Sequence, residues 1–181
     1  MKVVLTTPLY PPEIAEPAPY VKELAKRLAK LHEVTVVAYA HLPEEVHGVT
    51  MVTIDKRRPL LLRLPVFLWE FARFTRKADV VYAMNGPSVE LPALLVSFVS
   101  LTPFIFIIAD IAAHERASRH FFSRILERLA FARARTLVHK LPFPRPEIFP
   151  LEPHPTEAFA AYEASWDAHL KELQSLPTMY E

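Results

Sequence analysis

The chain has no cysteine, so disulfides, thiolate catalysis and thiolate-ligated metals are excluded. Glycine occurs only at Gly48 and Gly86. No loop can therefore offer the run of glycines that cradles a phosphate at a helix N-terminus. Side-chain amides are almost missing, with Asn85 and Gln174 alone. An excess of one charge is also lacking: 21 Lys and Arg face 20 Asp and Glu, net +1, which removes the basic field that nucleic-acid binding requires. No secretory leader is expected, because Lys2 is followed by a short apolar run and then by prolines. A cytoplasmic location is the expectation that follows. Few amides, no cysteine and 18 prolines fit a heat-adapted (thermophile) source.

What is present is organised around residues 1–19, MKVVLTTPLYPPEIAEPAP. Residues 2–7 are apolar and β-branched, which reads as a buried strand. Pro8, Pro11 and Pro12 then forbid both ladder and helix. Over 20–31 an amphipathic helix is expected, with Tyr20, Val21, Leu24, Ala25, Leu28 and Ala29 on one side. A strand, a loop and a helix in that order open a doubly wound α/β domain, whose first loop lines the ligand crevice.

Further strands are expected over 34–39, 49–54, 79–84, 104–109 and 136–138. The spacing predicts one Rossmann-like parallel sheet of order 3-2-1-4-5-6, over residues 1–140. Between the strands lie three helical stretches. The first, 60–74, carries Phe67, Trp69, Phe71 and Phe74; Pro65 interrupts it, so the helix is expected mainly after Pro65. Lys56, Arg57, Arg58, Arg73, Arg76 and Lys77 flank it. It reads either as a core-packing helix with solvated ends or as a peripheral contact with an anionic membrane, which would lie at the inner membrane face. The second, about 89–101, is apolar on nearly every side, with Ser88 as its expected N-cap. Together with the next strand it has the length of a membrane span, but Glu90, Pro92 and the Thr102-Pro103 break argue for a buried helix and strand. The third, 114–133, is expected to bury Phe121, Phe122, Ile125, Leu126, Leu129 and Ala130.

Six prolines make 141–155 a stiff linker. A last helix with a short tail follows over 156–181, capped by Thr156. Its apolar side, Phe159, Tyr162, Trp166, Leu170 and Leu173, is expected to pack back on the domain.

The stretch VVLTTPLYPPEI followed by YVKELAKRLAKLHEVTVVA resembles the amino-terminal half of family 4 glycosyltransferases of the GT-B fold, and the resemblance extends over 1–138. It implies the acceptor-side domain of a transferase of the hexosyltransferase class, acting on a nucleotide-sugar donor. Where that family carries a Gly-Gly pair near the donor diphosphate, Ala15 and Glu16 add a Cβ and a negative charge. About forty residues follow position 140, too few for the family's second, donor-binding domain with its paired glutamates. The nucleotide sugar is therefore expected to bind only through a partner.

In an open α/β sheet the ligand crevice lies at the carboxyl ends of the strands. That edge is expected to collect Tyr10, Glu13 and Ile14 from the first loop, Asn85 and Gly86 after the fourth strand, and Asp110, His114 and Glu115 after the fifth. Asp110 reads as a general base or as a helix N-cap, the resemblance placing an acidic residue there; His114 is a second candidate base. Asn85 and Gly86 read as substrate-binding residues or as a turn. His32, His41 and His47 have no metal-site spacing, and neither metal nor cofactor is expected.

Three functions remain open. The chain is the acceptor-side half of a glycosyltransferase, inactive until a separate donor-binding subunit joins it. Alternatively, it is a non-catalytic descendant serving as a binding or interaction module, for which a homodimer is one form. A third reading, a small-molecule enzyme on another doubly wound scaffold, has no motif behind it.

Overall fold

β1 (Lys2–Thr7) buries residues 3–7 on both of its faces, which only a central strand can do. It pairs in parallel with β2 (Glu33–Tyr39) on one side, Val3 opposite Val34, and with β4 (Val80–Met84) on the other, Val3 opposite Val80. β3 (Val49–Ile54) forms one edge beside β2, while β5 (Phe104–Ile107) and β6 (Thr136–Val138) continue beyond β4. The order is β3-β2-β1-β4-β5-β6, the single doubly wound sheet expected. The computed structural model describes residues 1–142 and 156–178, and the chain divides into two units, Met1–His139 and Lys140–Glu181.

The sheet reverses its direction of growth after β3, so right-handed connections put α1 (Ala18–Leu28) on one face and the later helices on the other. On that other face, α2 (Leu60–Thr75), α3 (Pro87–Ser97) and α5 (Phe121–Arg133) share one core with the strands. Phe67 stacks on Tyr39 at 4.4 Å, and Phe71 meets the edge of Phe104 at 6.0 Å. Aromatic pairs of this kind add about 0.5–1.5 kcal/mol each beyond area burial.

Four expectations about the helices are corrected. α2 starts at Leu60, with Pro65 inside it. Proline there removes one hydrogen bond, to the carbonyl of Leu61, but Leu61 is 86% exposed, in the first turn of the helix, where that loss is cheapest. α3 starts at Pro87 and ends at Ser97; its N-cap is Gly86, with no side-chain bond from Ser88. The expected single helix over 114–133 is two, α4 (Ile111–Arg119) and α5, separated at His120 with φ −107° and ψ 122°. On a continuous helix Ala117 and Ala130 would lie roughly 140° apart. Both are buried, and the break re-aims the second helix so that each can be. Finally, α5 buries Glu127 and Ala130, while Phe121, Phe122, Ile125 and Leu129 face outward.

In the second unit, α6 (Thr156–Thr178) buries Tyr162, Trp166, His169 and Leu173, a stripe stepping by four, three and four. His169 was absent from the expected stripe; burial pushes its imidazole down to about 4. The expected linker falls largely on 143–155, and the tail on 179–181, outside the described residues; the capping side chain of Thr156 lies outside them too. Among the described residues no helix is long and apolar enough to cross a membrane.

Candidate functional site

The carboxyl edge of the sheet is built on Asn85, the residue that follows β4. Its side chain is fully buried and spans to the next strand. Asn85 Nδ2 donates to the Asp110 carbonyl at 2.7 Å, and Oδ1 accepts from the Ala109 and Asp110 amides at 3.0 and 2.9 Å. These bonds take the backbone of 109–110 away from the ladder, which is why β5 ends at Ile107 rather than Ala109. One of the chain's two side-chain amides thus fixes where Asp110 stands.

Asp110 caps α4. Its Oδ1 accepts from the Ala113 amide at 2.8 Å, and Arg116 Nη2 lies 3.9 Å from Oδ2. The neighbouring turn is set by Gly86, whose φ of 141° favours glycine. A Cβ at this position would stand 3.0 Å from Pro8 Cγ, so the loop after β1 and the turn after β4 touch here.

The first loop supplies the other expected residues. Tyr10 is fully buried, and its hydroxyl has no hydrogen-bond partner among the described residues. Burial, helped by the charge of Glu44, pushes that phenol up to about 12. Glu13 is held by Lys56 at 2.5 Å, which ties the loop to the end of β3. Ile14 is 93% exposed. Partial desolvation, and then the charge of Asp110, push the Glu16 carboxyl above its usual range.

His114 follows Asp110 by one helical turn. Its Nδ1 lies 2.7 Å from Glu127 Oε1, and its ring stacks on Phe131 at 6.3 Å. Glu127 is buried, and the half-buried His114 bridges it toward solvent. A carboxylate accepting from Nδ1–H fixes that tautomer and leaves Nε2 as the acceptor. Behind the pair lies Glu90, also buried. Its Oε1 accepts from the Gly86 amide at 2.8 Å, and Oε2 has no partner among the described residues. Burial first, and then the charge of Glu127, push Glu90 up to about 7, against the pull of the Gly86 amide and His114. Glu115 is exposed on α4, and the carbonyl of its own backbone accepts from Ser118 Oγ.

The structure thus groups Asn85, Gly86, Asp110 and His114. Glu90 and Glu127 were missing from the expected site. Glu90 had a signal, being the one charged residue of an otherwise apolar helix. Glu127 had none, because its neighbours on α5 made the opposite face look like the buried one. Among the described residues no three acidic or histidine side chains form a metal-binding group. Two of the helix N-termini on this edge are already engaged by the chain's own carboxylates, α4 by Asp110 and α3 by Glu90.

The glycosyl transferase 4-like domain family matches residues 16–148. No curated protein matches the chain. Among solved structures, Anabaena Alr3699/HepE in complex with UDP and glucose is 20% identical with a TM-score of 0.51, covering 76% of this chain and 37% of that one. The same protein in complex with UDP is 18% identical, with a TM-score of 0.46 over the same shares. At this identity the likeness is one of fold, and the chain spans well under half the length of that protein.

Proposed function

Because this chain belongs to the glycosyl transferase 4-like domain family, we propose that it is the acceptor-side half of a glycosyltransferase. The donor lobe is supplied from outside these 181 residues, by a separate donor-binding subunit. The observation that carries this reading is His114, held by Glu127 beside Asp110 at the carboxyl edge of the sheet. An imidazole with Nδ1 engaged and Nε2 free is suited to orient an acceptor hydroxyl and take its proton.

The electrostatics of the edge favour an acceptor over a donor. Glu16 and Asp110 place two carboxylates where a nucleotide diphosphate would need amides or cations. Hydroxyl groups of a sugar or polyol acceptor hydrogen-bond well to such carboxylates. The nucleotide sugar then reaches the site from the partner lobe, as UDP is carried by the longer Alr3699/HepE chain.

The test is a panel of nucleotide sugars incubated with the pure chain, followed by the same panel with whatever binds the chain in its source lysate. No donor turnover is expected from the chain alone, and transfer is expected once the donor lobe joins. Turnover by the isolated chain would show that no second lobe is needed. A chain that stays inactive with every co-purified partner would favour the non-catalytic interaction module instead.

A further inference from the structure

Behind His114 stand two carboxyl groups from two other helices. Glu90 on α3 is 1% exposed and Glu127 on α5 is 4% exposed, and α3 packs on α5. Glu127 Oε1 is engaged by His114 Nδ1 at 2.7 Å. Glu90 Oε1 accepts from the Gly86 amide at 2.8 Å, while its Oε2 is buried with no partner among the described residues. No hydrogen bond joins the two carboxyl groups, so they act on each other through charge.

The surroundings offer a single cation to the two. On α2, Arg63 donates to the Lys56 carbonyl and Arg73 pairs with Glu70. On α5, Arg124 and Arg128 are exposed, and Arg133 reaches the Ser97 carbonyl at the far end of α3. On α4, Glu115 is exposed and Arg116 lies toward Asp110. β4 turns Val81 and Ala83 to this core, and therefore Tyr82 to the opposite face of the sheet. The charged groups left facing Glu90 are Glu127 and His114. Two ionised carboxylates behind a neutral imidazole would bury two negative charges with nothing to offset them. One proton therefore stays in the cluster. Oε2 of Glu90 is the place for it, since an unpartnered neutral carboxyl costs far less than an unpartnered charge.

We propose that Glu90 is a positioning residue for His114: it holds the one proton of a carboxyl–carboxylate–imidazole cluster built from three helices, so that Glu127 alone is charged behind the imidazole and Nε2 stays unprotonated. The role rests on the reading of His114 as the base for the acceptor. Ionised, Glu90 would set a second negative charge behind the ring. The imidazole would then keep a proton of its own and have no lone pair to offer. Neutral, Glu90 leaves the cluster with one negative charge. When the acceptor O–H breaks and the N–H at Nε2 forms, the cluster becomes neutral, and the acceptor oxygen keeps the electron pair. Burial first, and then the charge of Glu127, hold the proton on Glu90 up to about pH 7.

The experiment is an NMR titration of the full chain labelled with ¹³C at the glutamate carboxyl carbons. The Glu90 signal is the one lost in Glu90→Gln, which still offers an oxygen to the Gly86 amide. Glu90 is expected to titrate near pH 7. Its midpoint should rise by about half a pH unit or more in His114→Gln and fall by as much in Glu127→Gln. By reciprocity, the ring ¹⁵N shifts of His114 should follow the Glu90 titration and lose that response in Glu90→Gln. A glutamate that only holds the Gly86 amide would show neither effect. Titration of Glu90 in the ordinary carboxylate range, or a midpoint that His114→Gln leaves in place, would overturn the proposal. His114→Gln changes a half-buried position, so it decides the matter even where Glu127→Gln fails to fold. None of these readouts involves transfer, so loss of the coupling and loss of the acceptor-side reading would show separately.

Discussion

His114 on α4 and Glu127 on α5 meet at 2.7 Å across the break that separates the two helices. Thirteen residues apart in sequence, they come together only because the chain turns at His120. If His114 takes the acceptor proton in a reconstituted transferase, His114→Gln should lower the rate by roughly 10²–10⁴. Glu127→Gln, a positioning change, should cost less and should also alter the tautomer of His114, read by ¹⁵N chemical shifts. An unchanged tautomer in Glu127→Gln would remove Glu127 from that role.

Asn85 is a structural residue of the site. Asn85→Ala removes the acceptor of the half-buried Asp110 amide and leaves the Ala109 amide only the Ile107 carbonyl at 3.0 Å; a lost partner costs about 1–3 kcal/mol. Asn85→Asp should be as damaging, because it puts an oxygen against the Asp110 carbonyl. Denaturant midpoints at constant slope measure both. A loss below about 1 kcal/mol in Asn85→Ala would show that water replaces the amide.

Gly86→Ala tests the contact between the two loops. Its φ of 141° is a glycine region, and the new methyl meets Pro8 Cγ at 3.0 Å. Strained backbone of this kind costs on the order of 1–3 kcal/mol. Ser88→Ala, by contrast, should be nearly silent, since Ser88 makes no cap. Thermal unfolding of the two variants side by side decides the point.

Glu90 should make stability fall as pH rises. Its folded pKa, about 7, stands above its ordinary 4.5, so the folded state holds the proton more tightly. The stabilisation is fully present below about pH 4.5 and is lost as pH climbs through about 7, on the order of 3 kcal/mol in all. Glu90→Gln should flatten that slope. A slope that survives in Glu90→Gln would place the titration elsewhere.

His169 should act in the opposite sense. Its imidazole is held down to about 4 from 6.5, so the folded state prefers it neutral. That stabilisation is present above about pH 6.5 and is lost as pH falls through about 4. His169→Phe cannot charge, and it should remove this acid loss from the helical signal of α6. If acid sensitivity persists in the variant, another group of that unit carries it.

Much of the fold follows from local pattern. The apolar, β-branched runs at 2–7, 34–39 and 49–54 can be little but strands, and their alternation with helices fixes a parallel sheet of this order. That Asn85, Asp110 and His114 stand at the carboxyl edge of the sheet followed from their places after the fourth and fifth strands. Even the N-capping role of Asp110 was readable, because a short carboxylate before a helical pattern seeks the free amides.

Sequence alone could not say which side of α5 faces inward. Phe121, Phe122, Ile125 and Leu129 satisfy helical periodicity as well as any buried stripe, and periodicity measures only whether apolar residues share a side. The direction of that side depends on the break at His120 and on α3, against which Glu127 and Ala130 close. The same is true of the burial of Glu90 and Glu127, and of the bond from Glu127 to His114, which exist only when three helices converge. Strand order was written in short-range chemistry. The facing of one helix, and with it both the held imidazole and the exposed apolar surface, was decided by packing, because a helix has no inside until a neighbour gives it one.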